Sequence, residues 1–339
     1  MGHTVALNFE DGVTRFVDCV GNETVADASY RVGINIPLDC RDGACGTCKT
    51  FCESGEYDGD DYIEDALTDE EAGQGYALAC QMRPKSNLVL RVAASSDACK
   101  TKPSSHTGEI AAINRLSDTT LTFTVRLAGA PLAFLPGQYV NIQVPGSEQR
   151  RSYSFSSPPG AAEAEFLVRN IPGGLMTTFL AGAAPGATLD FTGPVGAFYL
   201  RDIKRPVLML AGGTGLAPFL SMLDRLAETG SPHPIHLVYG VTNDADLVEI
   251  KRLEAVAARL PAFTFDTCVA DGASVHPRKG YVTQHLQPVH LNGGDVDVYL
   301  CGPPAMVEAV RSHFSVHGIT PASFHFEKFS PSGVVTGAA

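Results

Sequence analysis

Four cysteines are the residues of this chain whose spacing most clearly predicts chemistry. Cys40, Cys45 and Cys48 follow the pattern C-x4-C-x2-C, and Cys80 comes after a long gap. This spacing is typical of a plant-type [2Fe–2S] cluster, which is held by four cysteine thiolates. Because such a cluster carries one electron at a time, the pattern predicts a chain that takes part in electron transfer.

The loop that contains the first three cysteines supports this interpretation. Gly43 and Gly46 can adopt positive φ values, which lets backbone N–H groups come close to sulfur. Two alternatives stay open: a zinc knuckle, or thiols packed as small hydrophobic groups. Zinc sites usually contain paired C-x2-C knuckles, and the second knuckle is missing here. Cys52 is expected to be a bystander, and most of the other cysteines are expected to be inert: Cys19, Cys99, Cys268 and Cys301.

A second candidate site begins at Arg151-Ser152-Tyr153-Ser154, in a region of short predicted strands. An Arg can pair with a pyrophosphate, a Tyr ring can stack on an isoalloxazine, and a Ser hydroxyl can bond the flavin N5. Taken alone, the string also fits a strand that carries one well-packed ring. Val168-Arg169-Asn170 follows, and then Gly173-Gly174-Leu175-Met176-Thr177, a turn that opens a short helix and offers free N–H groups to a phosphate.

A third candidate site is the glycine-rich turn Gly212-Gly213-Thr214-Gly215, which follows an apolar run and precedes a helical pattern. That context favours phosphate binding at a helix N-terminus, although Pro218 stands where the third glycine of G-x-G-x-x-G would be. A plain strand-to-helix turn is the alternative. Cys301-Gly302-Pro303-Pro304-Ala305-Met306 follows the last clear strand, where ligands of open α/β sheets sit, so Cys301 is expected near a nicotinamide unless it is an ordinary buried thiol.

Other metal or nucleotide motifs are missing from the sequence. There is no H-E-x-x-H string and no Walker string. His313 and His317 lie four residues apart in a predicted helix, and without a third ligand we expect them to be surface residues rather than a metal site.

The composition is that of a globular protein of two or three domains, with 44% hydrophobic residues over 339 positions. No apolar run is long enough to span a membrane, and no secretory signal or myristoylation site is evident at the N-terminus. Nine cysteines, at least four of them predicted to hold metal, indicate a reducing cytoplasm.

The net charge of −12 is concentrated at one end of the chain. Residues 1–98 carry −11, and the remaining residues carry −1. The acidic residues are densest in one stretch: Asp58, Asp60, Asp61, Glu64, Asp65, Asp69, Glu70 and Glu71. This stretch is either a solvated face or a surface that steers a basic redox partner. Nucleic-acid binding is not expected.

The predicted elements change character along the chain. Residues 5–9 and 13–17 flank Asp11-Gly12 as a hairpin, a helix follows over 23–32, and 88–92 returns as a strand. Short β-runs divided by Gly and Pro, such as 121–125, 139–144 and 166–169, indicate an antiparallel barrel. From 206 onward, apolar strands (206–211, 236–240, 296–300) alternate with helices (218–227, 247–260), which is typical of a parallel α/β sheet.

The sequence therefore predicts a multidomain α+β and α/β protein. We expect a ubiquitin-like (β-grasp) cluster domain over 1–95, a linker over 96–106 and an antiparallel β-barrel over 107–203. A parallel α/β nucleotide-binding domain is expected over 204–330, followed by a disordered tail over 331–339.

Together these strings resemble the ferredoxin–NADP reductase superfamily fused to an N-terminal plant-type [2Fe–2S] ferredoxin. The resemblance is greatest to the reductase components of benzoate and toluate 1,2-dioxygenases. It covers nearly the whole chain and includes 40–48, Leu78-Ala79-Cys80-Gln81, 151–154, 210–218, 301–303 and Phe326-Glu327-Lys328-Phe329. Members with an N-terminal ferredoxin use FAD, whereas those with a C-terminal one, such as phthalate dioxygenase reductase, use FMN.

The resemblance implies a role for each motif. Cys40, Cys45, Cys48 and Cys80 would ligate the cluster. The flavin would be held by Arg151, Ser152, Tyr153, Ser154, Val168, Arg169, Asn170, Gly174, Leu175, Met176 and Thr177, with Phe329 covering its nicotinamide face. Ser154, Cys301 and Glu327 would lie along the hydride path. NAD would be met by Gly212, Gly213, Thr214, Gly215, Cys301, Gly302, Pro303 and Met306.

The resemblance also implies a function: hydride passes from NADH C4 to FAD N5, and single electrons then pass through the cluster to a Rieske oxygenase component. NADH is favoured over NADPH because residues 239–246 contain no Lys or Arg, and Asp244 and Asp246 would repel a 2′-phosphate. Two alternatives stay open. The same relay could serve a multicomponent monooxygenase or a deoxysugar dehydratase, or the chain could be a redox sensor that only holds a cluster.

Overall fold

The structure is a computed structural model that describes residues 2–100 and 102–329. It contains two compact units. The first runs to Ser104 and takes in Pro194–Ala197, and the second holds Ser105–Gly193 and the described residues from Phe198 onward. The tail predicted over 331–339 lies outside the described residues. Among the described residues, every helix is too short or too polar to cross a lipid bilayer.

The first unit is a small mixed sheet with a helix packed on it. Its strands are β1 (His3–Phe9), β2 (Thr14–Cys19), β3 (Lys49–Ser54), β4 (Tyr57–Gly59), β5 (Tyr76–Leu78), β6 (Met82–Pro84) and β7 (Leu88–Val92). Its helices are α1 (Val25–Arg31) and α2 (Asp69–Gly73), and a 3-10 turn covers Ala98–Lys100.

The hairpin predicted around Asp11-Gly12 is confirmed, because β1 and β2 pair antiparallel with Val5 opposite Val17. β1 also pairs parallel with β7, and the sheet order is β2-β1-β7-β3-β5. Alternate residues of β1 (Val5, Leu7, Phe9) are buried, so one face of the strand builds the core. This arrangement is the predicted ubiquitin-like fold.

Helix α1 begins where its sequence provides a cap. The Thr24 hydroxyl accepts a hydrogen bond from the Asp27 backbone N–H at 3.1 Å, which satisfies one of the free donors of the first turn. Val25, Ala28 and Ser29 are buried. The helix predicted over 23–32 is therefore confirmed with slightly narrower bounds.

The linker predicted over 96–106 is wrong for much of its length. Ser96 and Cys99 are buried, and Ser96 donates from its backbone and its hydroxyl to Asp11 at 2.9 and 2.7 Å. The Cys99 carbonyl accepts from the backbone N–H of Asn35 at 2.7 Å. A new strand already begins at Ser104. Polar composition hid these contacts because the segment bonds through its backbone and small side chains rather than through an apolar face.

The second unit opens with an antiparallel sheet that nearly closes into a barrel. Its strands are β8 (Ser104–Arg115), β9 (Thr120–Leu127), β10 (Tyr139–Gln143), β11 (Arg150–Ser154), β12 (Glu163–Arg169) and β13 (Thr188–Val195), with helix α3 (Leu175–Gly182). The order is β11-β10-β13-β8-β9-β12, and a bridge between Phe155 and Phe166 joins the two edges. Phe123, Phe155 and Phe166 are fully buried in its core.

A parallel sheet follows, in the order β16-β15-β14-β17-β18. The strands are β14 (Val207–Gly212), β15 (Ile235–Val241), β16 (Phe263–Val269), β17 (Asp297–Gly302) and β18 (Ser323–Lys328). The helices are α4 (Ala217–Thr229), α5 (Ile250–Arg259), α6 (Pro288–Leu291) and α7 (Pro304–Val316), with 3-10 turns at Gly213–Leu216, Asp244–Asp246, Val282–Gln284 and Asn292–Gly294.

Both faces of the parallel sheet are covered, as its continuous apolar strands predict. Met209 and Ala211 of β14 belong to one buried cluster, and Leu208 and Leu210 belong to the cluster on the other face. The helix predicted over 247–260 begins only at Ile250, because Glu249 takes a left-handed conformation with φ 61°. The predicted fold class is otherwise confirmed.

Two histidine rings stack inside the second unit. His236 of β15 lies 3.6 Å from His290 of α6, measured between ring centroids. Burial, with a smaller contribution from His290, lowers the pKa of His236 to about 4, and burial also lowers the pKa of His290. The fold therefore favours both rings in their neutral forms.

Acid should destabilise this unit through His236. An unfolded histidine has a pKa of about 6.5, so the unfolded state binds more protons and the stability contributed by the neutral ring is lost as pH falls from about 6.5 towards 4. The free energy of unfolding, measured with urea, should fall between pH 7 and 5 by roughly 2 kcal/mol less in His236→Phe than in the wild type. The exposed His317→Phe is the control, and an equal slope in both variants would contradict this assignment.

Candidate functional site

The four cysteines of the predicted cluster form two thiol pairs. The sulfurs of Cys40 and Cys45 are close enough to share a hydrogen bond, and so are those of Cys48 and Cys80. The bond from Cys40, assisted by Thr47, lowers the pKa of Cys45 to about 6 against the opposing effect of burial. The bond from Cys48 lowers the pKa of Cys80 to about 7, with smaller contributions from Gln81 and the Gly43 backbone.

Backbone geometry brings this loop close to its neighbours. Gly43 and Gly46 have φ values of 81° and 70°. A Cβ at Gly43 would lie 2.6 Å from the Asp61 carbonyl oxygen, and one at Gly46 would lie 2.9 Å from that of Ala66. Both glycines are therefore required by conformation and by space, as the sequence suggested.

Arg41 is a feature of this loop that the sequence did not reveal. It has a positive φ of 66° without being glycine. Its guanidinium pairs with Asp27 at 2.6 Å and lies 5.2 Å from the centre of the Tyr30 ring. These contacts anchor the loop to α1.

The thiol pairs fit the group that the spacing predicts. A [2Fe–2S] cluster has two irons, and each takes two cysteine thiolates. Here each pair can serve one iron, with the Thr47 hydroxyl and the Gly43 N–H also directed at sulfur. Among the described residues, no three His, Cys, Asp or Glu side chains are arranged as a site for a single ion.

The predicted flavin string lies on β11, which pairs with β10 so that Ser154 faces Tyr139. Tyr153 packs edge-on against Phe123 at 5.9 Å, and burial raises its pKa. The Arg151 guanidinium donates to Gln149 Oε1 at 2.8 Å, and Ser152 donates to Asn141 at 2.7 Å. The Tyr153 ring is half-buried, so part of it stays accessible for a planar ligand.

The next predicted flavin residues separate into two kinds. The side chains of Val168 and Met176 are packed in the barrel core, so only their backbones could contact a cofactor. Gly174 caps α3 without a side-chain hydrogen bond, which leaves N–H groups of the first turn without a side-chain cap. The Thr177 hydroxyl is turned back to the Ile171 carbonyl at 2.6 Å.

The glycine-rich turn after β14 packs against the turn after β17. A Cβ at Gly215 would lie 2.3 Å from the Cys301 carbonyl oxygen, and one at Gly212 would lie 2.4 Å from the Met306 sulfur. Gly302 is similarly crowded by Met306 at 2.7 Å. These glycines are thus required for close approach of the two turns at the carboxyl edge of the sheet. Gly213, with φ 54° and open space around it, is the glycine of the turn free to face a ligand.

The three residues expected along the hydride path lie close together. Cys301 and Glu327 are register partners on β17 and β18, and the Ser154 hydroxyl donates to Glu327 Oε2 at 3.3 Å. Complete burial, together with the Glu327 carboxylate, raises the pKa of Cys301 and keeps it a thiol. Phe329 is tied to this edge because its N–H donates to the Gly302 carbonyl at 2.8 Å.

Arg252 of α5 joins the barrel to the parallel sheet, and sequence reasoning did not identify it. Its guanidinium pairs with Glu165 of β12 and Asp224 of α4, each at 2.7 Å. It also donates to the Ser156 carbonyl at 2.5 Å. A single Arg in a predicted amphipathic helix carries no signal that could have separated it from surface charges.

Comparison with known proteins agrees with this architecture. Three family profiles match: the 2Fe-2S iron-sulfur cluster binding domain over 8–85, the oxidoreductase FAD-binding domain over 107–199, and the oxidoreductase NAD-binding domain over 209–312. The chain is 58% identical to the toluate 1,2-dioxygenase electron transfer component of Pseudomonas putida, over 98% of this chain and 100% of that protein. It is 51% identical to the 2-halobenzoate 1,2-dioxygenase electron transfer component of Burkholderia cepacia, over 98% and 99%.

Comparison with solved structures gives the same architecture. A cytochrome P450 reductase from Amycolatopsis superposes with a TM-score of 0.72 at 35% identity, covering 97% of this chain and 100% of that one. The fold and site thus define an iron–sulfur flavoprotein oxidoreductase with FAD-, NAD- and [2Fe–2S]-binding domains. The chain belongs to the family of electron transfer components of aromatic-ring dioxygenases.

Removing the Arg252 guanidinium should weaken the second unit. In Arg252→Leu, Glu165 loses its guanidinium partner and Asp224 keeps only the longer contact to Arg259, which we expect to cost about 2–3 kcal/mol of unfolding free energy because these groups are partly buried. Urea unfolding, monitored by the release of flavin, measures this change in unfolding free energy. Lys251→Leu, exposed on the same helix, is the matched control; equal destabilisation by both variants would show that Arg252 has no special structural role.

Proposed function

We propose that this chain is the reductase of a benzoate- or toluate-type ring-hydroxylating dioxygenase, and that it passes electrons from NADH to a Rieske oxygenase component. Full-length identity of 58% to a toluate dioxygenase electron transfer component carries this proposal. The thiol pairs and the Ser154–Glu327–Cys301 group support it. A flavin supplies the exchange between a two-electron hydride and single electrons.

The proposed residue roles follow from where the side chains lie. Cys40 and Cys45 would hold one iron, and Cys48 and Cys80 the other. Tyr153 would stack on the flavin ring, Arg151 would pair with its pyrophosphate, and the first turn of α3 would add N–H donors. Ser154 would turn its one hydroxyl proton from Glu327, to which it donates at 3.3 Å, to the flavin ring nitrogen when the cofactor is bound.

NADH is the proposed donor. Asp246 is fixed in the turn after β15 by hydrogen bonds from Thr119 and from Asn243, and Asp244 accepts from Ser274 at 2.7 Å. Residues 239–246 contain no Lys or Arg, so these two carboxylates would repel a 2′-phosphate bound at this turn.

A different oxygenase partner is the second candidate. The relatives include an aromatic O-demethylase reductase subunit at 35% identity and a propane 2-monooxygenase reductase component at 29%. Their lower identity favours the dioxygenase. The purified chain can be mixed with each candidate oxygenase component in turn. NADH-dependent product formation then shows whether the partner is a ring-hydroxylating dioxygenase or a different oxygenase.

The acidic stretch over residues 58–71 remains a candidate docking surface, but basic side chains of the same chain neutralise part of its charge. Asp58 pairs with Lys85, Asp60 pairs with Arg83, and the buried Glu71 pairs with Lys49 at 2.6 Å. At least three of its eight carboxylates are therefore neutralised within the chain. We propose a cytoplasmic location, because none of the nine cysteines, all of which lie in the described part of the chain, forms a disulfide.

The order of the relay can be tested at one cysteine. Cys45→Ser should abolish NADH-dependent cytochrome c reduction and spare NADH-dependent ferricyanide reduction, because it removes a cluster ligand and leaves the second unit intact. Cys52→Ser, outside the proposed ligand set, should retain both activities. Full cytochrome c activity in Cys45→Ser would overturn the proposed order.

Nucleotide preference can be tested at the turn after β15. The wild-type protein should show a higher kcat/KM with NADH than with NADPH. Asp244→Asn removes one like charge worth about 1 kcal/mol and should narrow that preference about fivefold. Glu228→Gln, an exposed carboxylate at the C-terminal end of α4, is the control. A preference unchanged by Asp244→Asn would exclude charge repulsion at this position.

A further inference from the structure

Gln81 is a buried polar side chain beside a proposed cluster ligand, and none of the roles above uses it. It follows Cys80 in the turn between β5 and β6 and is 7% exposed. Its amide nitrogen lies 3.4 Å from the Cys80 sulfur and 3.2 Å from the Arg41 carbonyl oxygen. One amide group thus contacts both the fourth proposed ligand, Cys80, and the loop that carries the other three.

The orientation of this amide follows from its neighbours. A sulfur and a carbonyl oxygen are both acceptors, so the –NH2 group rather than the amide oxygen must face them. The Gln81 backbone is held on both sides, because its N–H donates to Leu78 at 2.8 Å and its carbonyl accepts from Asp60 at 3.1 Å. Arg41, in turn, is anchored by Asp27. The side chain therefore has little freedom to turn away.

We propose that Gln81 is a positioning residue that raises the reduction potential of the cluster by donating a hydrogen bond to the Cys80 sulfur. This inference rests on the cysteine ligand set proposed above. Reduction adds one negative charge to the cluster and its sulfurs. An N–H directed at sulfur stabilises that charge, and hydrogen bonds to sulfur are among the factors that set the potential of such clusters.

The same side chain also links the two thiol pairs. Cys80 belongs to one pair, and Arg41 immediately follows Cys40 of the other. Because Gln81 donates to both segments, it holds the fourth ligand in register with a loop that is distant in sequence.

The test is a redox titration of the reconstituted full chain, followed by EPR of the reduced cluster. Gln81→Met keeps the length of the side chain and removes the donor, and Gln81→Glu replaces the donor by an acceptor. We expect the ratio of reduced to oxidised cluster at a fixed potential to fall roughly tenfold, which corresponds to 59 mV for one electron. The flavin potential should not move.

Gln74→Leu is the matched control. Gln74 is an exposed amide of the same unit, and it donates to Glu70 rather than to sulfur. Iron and sulfide content of each variant shows whether the cluster is present. An unchanged potential in Gln81→Met and Gln81→Glu with full cluster content would overturn the proposal.

A measurement on the wild-type chain tests the proposal even if the variants lose their cluster. Pulsed EPR of the reduced protein, labelled with glutamine carrying 15N in its side chain, should show a 15N coupling to the cluster. Absence of that coupling would also overturn the proposal. Failure of the wild-type chain to hold any cluster would instead overturn the proposed function, so the two failures are distinguishable.

Discussion

The second unit depends on one buried cation. Arg252 is 22% exposed and satisfies its guanidinium with two carboxylates and a backbone carbonyl drawn from β12, α4 and the segment after β11. A guanidinium largely removed from water is stable only where such partners are fixed, so Arg252 helps to hold the barrel and the parallel sheet together. Ser156 lies two residues beyond Ser154. The Arg252 contact therefore anchors the chain two residues from the Ser154 hydroxyl that donates to Glu327.

The cluster loop is organised by a different constraint, which is local. Positive φ at Arg41, Gly43 and Gly46 turns the backbone tightly enough to bring Cys40 to Cys45. The short distances from Gly43 and Gly46 to the 61–66 segment leave no room for a side chain. These glycines thus shape the loop, and its cysteines lie in two pairs, as two irons would require.

Predictions from sequence succeeded where the relevant pattern is short. The cysteine spacing, the Asp-Gly hairpin and the alternation of apolar strands with helices each lie within a few consecutive residues. Predictions were wrong or incomplete where contacts cross the chain. The predicted linker packs through Ser96 and Cys99. The packing of Gly212 and Gly215 against the neighbouring turn that holds Cys301 and Met306 was not predicted, and their expected contact with a phosphate stays a prediction.

The sequence by itself determined the order of the domains, the classes of fold and the cluster site, because these follow from residue types at short spacings, and the resemblance of its motifs to a known family indicated the flavin and the nucleotide. Tertiary structure alone decided which groups meet: Ser154 with Glu327, Arg252 with Glu165 and Asp224, and Gln81 with Cys80 and Arg41. Most of these partners are separated by tens of residues or more. Their meeting depends on sheet register and on the burial of charge, and no local pattern encodes either of these.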